Sequence, residues 1–179
     1  PAGHSGDVTA AARRAERVTQ GPEVLPMWTV YVDADACPVK EEVYRVARRY
    51  GLRVAVVANS PLRVPADPLV TLVVRPGFGA ADDWIAQEAG AGDIVVTADI
   101  PLAARSLGRG ARVLDPKGRP FTDNDIGAAL AMRDLREDLR QAGELTGGPS
   151  PMTPKDRSRF LSRLDEAANA VRRALPEGK

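Results

Sequence analysis

Trp28-Thr29-Val30-Tyr31-Val32-Asp33-Ala34-Asp35-Ala36-Cys37-Pro38-Val39-Lys40 is the stretch on which the fold turns. Residues 28–32 are β-branched or aromatic throughout, the composition of a pleated, buried strand. Pro38 suits a first helical position, where the missing N–H would be unpaired anyway and the fixed φ is already helical. Behind it Val39, Val43, Val46, Ala47 and Tyr50 recur at helical spacing until Gly51 ends the run. A strand that passes through Asp-Ala-Asp directly into a helix is the opening half of a βαβ unit.

The alternation continues toward the C-terminus. Arg53 to Ala58 and Leu69 to Val74 read as a second and a third strand, nearly continuous in apolar character. Ala81 to Ala89 reads as a helix, Asp93 to Thr97 as a fourth strand, Pro101 to Leu107 as a helix and Ala111 to Leu114 as a short fifth strand. Thr122, with Asp125 three residues on, is expected to cap a longer helix reaching about Gln141. Gly147-Gly148-Pro149-Ser150-Pro151 then breaks the chain. Thr153-Pro154, followed by Asp156, starts a last amphipathic helix carrying Phe160, Leu161, Leu164, Ala168 and Val171. The expected fold class is α/β: a three-layer α/β/α domain with a mostly parallel five-stranded sheet. Residues 59–68 are the weak link, because they join two strands without a helix.

On the N-terminal side, residues 1–26 end in the turn-rich stretch Gly21 to Pro26, and a short helix over Ala10 to Val18 would bury little but alanine. They read as a flexible extension dispensable to the fold, with 27–175 as a single domain and 176–179 as a tail. The 179 residues carry a net charge of +1, with 44% hydrophobic and 27% charged residues, which is ordinary for a globular protein and excludes disorder throughout. So small a net charge does not argue for a polyanionic partner. One cysteine, Cys37, excludes an internal disulfide framework and a cysteine-rich zinc site. One histidine, His4, lies outside the domain and argues against imidazole catalysis. With neither an apolar run of about 20 residues nor the apolar core of a signal peptide, the expected location is the cytoplasm.

Oxygen ligands remain, and they are patterned. Asp33 and Asp35 follow the first strand, Asp99 follows the fourth, and Asp82-Asp83 opens the helix before the fourth. In open α/β sheets, ligands bind beyond the carboxyl ends of the strands, where the strand order reverses. If the first and fourth strands are neighbours at that reversal, Asp33, Asp35 and Asp99 share one crevice. Convergent carboxylates raise one another's pKa, and a divalent cation turns that repulsion into attraction. Hard oxygen donors suit Mg²⁺ or Mn²⁺, which activate water and stabilise charge on a phosphodiester. Each aspartate taken singly is equally at home as a helix cap or turn residue. Asp93 precedes its strand and belongs at the opposite end, as a turn residue or a partner of a backbone amide.

Smaller signals carry two readings each. Asn59 and Thr97 end strands facing the same crevice, and orient water or phosphate there or simply form turns. Lys117 and Arg119, with Lys155, Arg157 and Arg159, contact a phosphate backbone or are solvated charges. Phe78 is a stacking surface for a base or a packing residue. Cys37 reads as a small buried residue at a helix start; a Cys-x₅-Arg phosphatase loop needs arginine where Val43 stands. Gly77-Phe78-Gly79-Ala80-Ala81-Asp82 imitates a dinucleotide fingerprint, but Asp82 and Asp83 place negative charge where a pyrophosphate would dock.

Val32 to Lys40 closely resembles the opening motif of the YaiI/YqxD family of bacterial proteins. Ala58-Asn59, Gly79 to Trp84, Gly92 to Ala103, Gly118 to Thr122, Asn124-Asp125-Ile126 and Gly147-Gly148-Pro149 resemble it too, so the likeness runs from Met27 to about Leu164. That family is similar in pattern to PIN-like nuclease domains. The wider resemblance implies Mg²⁺- or Mn²⁺-ligand and catalytic roles for Asp33, Asp35, Asp83 and Asp99, with Asp82 as a further candidate ligand, and RNA as the partner. Two other readings stand beside a metal-dependent nuclease. One is a haloacid-dehalogenase-type phosphatase, with Asp33 as nucleophile and Asp35 as general acid. Ala36-Cys37 and the lack of a later Ser/Thr and Lys in order argue against it. The other is a non-catalytic nucleic-acid-binding module that retains a metal site.

Overall fold

The structure, a computed structural model, describes residues 28–148 and 150–174, so the expected N-terminal extension and C-terminal tail lie outside the described residues. The first strand, β1, spans Thr29–Asp33 and runs through a 3₁₀ turn at Ala34–Ala36 toward helix α1, Lys40–Tyr50. Strands β2 (Arg53–Ala58) and β3 (Val70–Val74) follow, then α2 (Ala80–Glu88), β4 (Ile94–Val96), α3 (Ile100–Gly108) and β5 (Arg112–Leu114). A two-residue strand β6 (Pro120–Phe121) and the helices α4 (Ile126–Gln141) and α5 (Pro154–Arg173) complete the described elements.

The sheet order is β3-β2-β1-β4-β5-β6. The first five strands are mutually parallel, with Val32 of β1 level with Val56 of β2 and Val96 of β4. The sheet therefore has six strands where the sequence predicts five. The sixth is antiparallel to β5 and too short to carry an alternation signal, and its proline is tolerated because it lies at the edge. Its return depends on Gly118, whose φ is +81° and whose missing Cβ leaves room for the Phe160 backbone, which an added Cβ would approach to 2.8 Å.

Strand alternation sorts the core into two layers. Val30 and Val32 face one side with Val54, Val56 and Val96, beneath Val43 and Ala47 of α1 and Phe160, Leu164 and Ala168 of α5. Tyr31, Val57, Val95 and Val113 face the other side, covered by Ile85 of α2 and Leu102 and Ala103 of α3. Each fully buried valine or leucine contributes about 1.5–3 kcal/mol by leaving water, against the entropy of ordering the chain. This is the expected α/β/α sandwich. Helix α4 packs outside α3 and buries none of its own residues.

Helix starts differ from the sequence reading by more than one residue at two places. α1 starts at Lys40, not Pro38, because Lys40 Nζ donates to the carbonyls of Ala34 and Cys37, at 2.9 and 2.8 Å, and holds residues 34–39 as a closed turn. α4 starts at Ile126, because residues 122–125 form a turn in which Asp125 Oδ1 accepts from the Thr122 amide at 2.8 Å. Thr122 is therefore no helix cap. At α5 the expected cap is present: Thr153 Oγ1 accepts from the Asp156 amide while Asp156 Oδ2 accepts from the Thr153 amide. Two of the arginines that carry both a phosphate-contact and a solvated-charge reading, Arg157 and Arg159, make contacts within the protein. Arg157 pairs with Glu42 and donates to the Pro38 carbonyl; Arg159 pairs with Asp156 and donates to the Lys117 carbonyl. Among the described residues, no helix is long and apolar enough to cross a membrane.

Candidate functional site

Because β1 lies between β2 and β4, the sheet grows one way from β1 through β3 and then the other way through β4. The reversal opens a crevice at the carboxyl ends of β1 and β4. Asp33 closes β1 on the same face as Tyr31, so its side chain lies on the side covered by α2 and α3. The residue is only 7% exposed. Its Oδ2 accepts from Thr97 Oγ1 at 2.9 Å, and that hydroxyl oxygen in turn accepts from the Asp99 amide at 3.0 Å. Asp99 caps α3, its Oδ1 accepting from the Leu102 amide at 2.7 Å. Thr97, buried, thus ties the end of β1 to the start of α3.

Asp82 enters from the first turn of α2. Burial, then the fields of Asp33 and Asp99 and more weakly of Asp83, push its carboxyl up to about 6 against the pull of Arg105. Asp33 is raised by burial above all, then by Asp35 and Asp99; the Thr97 hydrogen bond and the charge of Lys40 oppose the rise. Asp35 sits in the 3₁₀ turn, exposed, with its Oδ2 accepting from the Asn59 amide at 3.0 Å. Asp83 is exposed and turned onto Arg105 at 2.7 Å.

The sequence candidates therefore divide. Asp33, Asp82 and Asp99 come together from three segments, Asp35 stands at their edge, and Asp83 is held at the rim by an arginine. Successive positions on a helix point about 100° apart, so Asp82 and Asp83 leave α2 in different directions. Asn59 contributes its backbone amide to Asp35 rather than a side-chain contact, and Thr97 is engaged twice within the protein. Lys117 and Arg119 lie in the β5–β6 turn, on the wall of a neighbouring cavity rather than in the crevice. Phe78 is fully exposed in the loop before α2. Asp93 is at the opposite end as expected, its two oxygens accepting from the amides of Thr29 and Gly90. Cys37 is buried, and burial pushes its thiol up to about 11, which makes it inert packing.

Two supporting residues escape a motif reading. Lys40 braces the Asp35 turn through backbone carbonyls, and Arg105 faces Asp83 from the next helix. No local pattern distinguishes either from a solvated surface charge. The donor chemistry of the crevice fits a hard cation: carboxylate oxygens only, two of the carboxyls raised by crowding and burial. Among the described residues, no three His, Cys, Asp or Glu side chains stand close enough together to enclose an ion. The crevice is a set of neighbouring carboxylates rather than a closed coordination shell.

An α/β domain with acidic side chains gathered at the switch point of its sheet is the class that fold and site define. A sequence profile described as "Uncharacterized BCR, YaiI/YqxD family" matches residues 31–170, from β1 through most of α5. The chain belongs to the YaiI/YqxD family. It is 58% identical over 146 residues to a UPF0178 protein of Rhodopseudomonas palustris, covering 81% of this chain and 94% of the relative. A UPF0178 protein of Nitrobacter winogradskyi is also 58% identical over 146 residues, covering 81% and 93% of the two chains. One of Rhodospirillum centenum is 58% identical over 152 residues, covering 82% and 99%. No solved structure matches the chain significantly.

Proposed function

We propose that the chain is a divalent-metal-dependent phosphodiesterase acting on RNA, in which Asp33, Asp35, Asp82 and Asp99 draw in around Mg²⁺ or Mn²⁺ when it binds. The reading rests on one observation: carboxylates from β1, α2 and the α3 cap lie within one another's field at the switch point, and two of them have raised pKa values. Each carboxylate that accepts a hydrogen bond there does so through one oxygen, so among the described residues the second oxygen of Asp33, Asp35 and Asp99 has no partner. A bound cation would supply activated water and charge stabilisation on the phosphodiester. The protein's own part is positional. Thr97 orients Asp33, the α3 amide orients Asp99, and the Asn59 amide fixes Asp35.

Cleavage of an end-labelled RNA in Mn²⁺ tests the proposal. Asp35→Asn keeps an oxygen for the Asn59 amide, so the variant should melt as the parent does while losing Mn²⁺-stimulated cleavage. Undiminished cleavage by that variant removes the proposal. A second reading, a nucleic-acid-binding module that retains the metal site, draws on the spread of the carboxylates; tight Mg²⁺ binding without turnover of RNA or DNA favours it. The phosphatase reading is the weakest of the three, because Asp33 is buried with one oxygen held by Thr97, and no Ser/Thr and Lys follow in the order that chemistry needs.

A further inference from the structure

Beside the acidic crevice lies a cavity of about 540 Å³ that the proposed reaction does not use. Ala98 and Ile100 form part of its wall, and Asp99 stands between them in the chain, so cavity and crevice share the start of α3. The opposite wall is α4. Ala128, Met132 and Arg136 line the cavity at intervals of four residues, which is one stripe of that helix. No residue of α4 is fully buried and Met132 is 47% exposed, so the stripe lines the cavity with its side chains still open to solvent. Met152 closes the third side.

The wall carries more positive than negative side chains, Lys117, Arg119 and Arg136 against Asp115 and Asp125. Among the described residues none of the three cations has a carboxylate within ion-pair distance. The acids in the same wall are occupied by backbone. Asp115 Oδ1 accepts from the amides of Lys117 and Arg119, both at 2.8 Å, and Asp125 Oδ1 accepts from the Thr122 amide. A cavity in the range of about 300–1,000 Å³ with apolar walls and a few convergent polar groups is the ordinary form of a small-ligand site. This one is far larger than a bare anion needs. Its apolar walls and its cations, none of them in a close ion pair, select an anion with an apolar body, and methionines adapt to irregular surfaces.

We propose that this cavity binds one nucleotide of the substrate, the base and sugar against the α4 stripe and the phosphate toward Lys117 and Arg119. The choice of a nucleotide over other amphipathic anions rests on the phosphodiesterase reading of the adjoining crevice; the cavity and its charges do not.

Binding of adenosine 5′-monophosphate to the full chain, measured by calorimetry in EDTA, tests this without any metal or turnover. Met132→Trp fills the cavity from a half-exposed position, and the pair Arg119→Gln, Arg136→Gln removes charge. Each should weaken binding by about tenfold or more, since a lost charge-assisted contact or a blocked pocket typically removes that much affinity. Asp134→Ala, about half a turn of α4 away from the stripe, should leave it unchanged. Adenosine and inorganic phosphate should each bind more weakly than the monophosphate. Affinity indifferent to Met132→Trp and to the double variant, inorganic phosphate binding as well as the nucleotide, or no nucleotide binding at all overturns the proposal. The two readings fail separately. Asp35→Asn should bind the nucleotide normally, nucleotide binding without cleavage of any substrate sinks only the phosphodiesterase, and cleavage unaffected by Met132→Trp sinks only the cavity.

Discussion

Replacing Asp82 with asparagine removes a charge that folding opposes. The folded chain raises this carboxyl from 3.8 to about 6, through burial first and then through Asp33 and Asp99. A tenfold change in proton affinity is about 1.4 kcal/mol, so the ionised side chain costs the fold at most about 3 kcal/mol at neutral pH. Asp82 is only partly buried, and solvent screening reduces that to about 1–2 kcal/mol. Its place in the first turn of α2 returns about 0.3–1 kcal/mol through the helix dipole, which asparagine forfeits. The net expectation is a variant more stable than the parent by up to about 1.7 kcal/mol at pH 8, or at most a few degrees in melting temperature for a chain of this size. The sign with pH follows from the raised value. Between about pH 4 and pH 6 the folded chain binds the proton that the unfolded chain has released, so the parent loses stability as pH rises through that window. Below it both forms are neutral at this position and the advantage of asparagine vanishes. Thermal melts in EDTA at pH 4, 6 and 8 measure this directly. In excess Mn²⁺ the order should narrow or reverse, because the parent gains the binding free energy of the ion and the variant gains less. A variant no more stable than the parent at pH 8 in EDTA, or one with the same increment at pH 4, refutes the crowding of carboxylates on which the site is argued.

Thr97→Val should destabilise the fold by about 1–3 kcal/mol at pH 8, because it strips a buried carboxylate and the Asp99 amide of their shared partner, and by less as pH falls, since the raised pKa of Asp33 leaves less carboxylate to lose its donor; a loss independent of pH contradicts the relay. Ser106→Ala should be neutral or stabilise by up to about 1 kcal/mol in urea unfolding, since among the described residues the buried Ser106 hydroxyl has no hydrogen-bond partner. Cys37, with its thiol at about 11, should resist an aromatic disulfide reagent in the native protein at pH 8 and react freely once unfolded; fast stoichiometric labelling of the folded chain contradicts its burial.

Much of the layout was legible in the chain because it is local. The β-branched runs at 28–32, 53–58 and 69–74 announced buried strands, Gly51 marked the end of α1, and Thr153-Pro154 with Asp156 carried the whole α5 cap. Asp93 was read correctly because a carboxylate before a strand lies at the end away from the crevice. The misplaced boundaries, at Pro38 and Thr122, share a cause. In each the side chain suited a helix start, but a competing turn closed first, one held by Lys40 and the other by Asp125. The two-residue β6 had no periodicity to read.

The sequence by itself determined the α/β class, the membership in the YaiI/YqxD family and the presence of acidic residues at strand ends, since each depends on residues close together along the chain. Which aspartates meet was decided only by the tertiary structure. Both Asp82 and Asp83 fit a helix start equally well on paper; the packing of α2 on the sheet brought Asp82 into the field of Asp33 and Asp99 and paired Asp83 with Arg105. The same holds for Lys117 and Arg119, which became the wall of a cavity only when α4 was laid across α3. Charge repulsion, burial and cavity shape depend on distances through space, and those exist only after β1 has been placed beside β4.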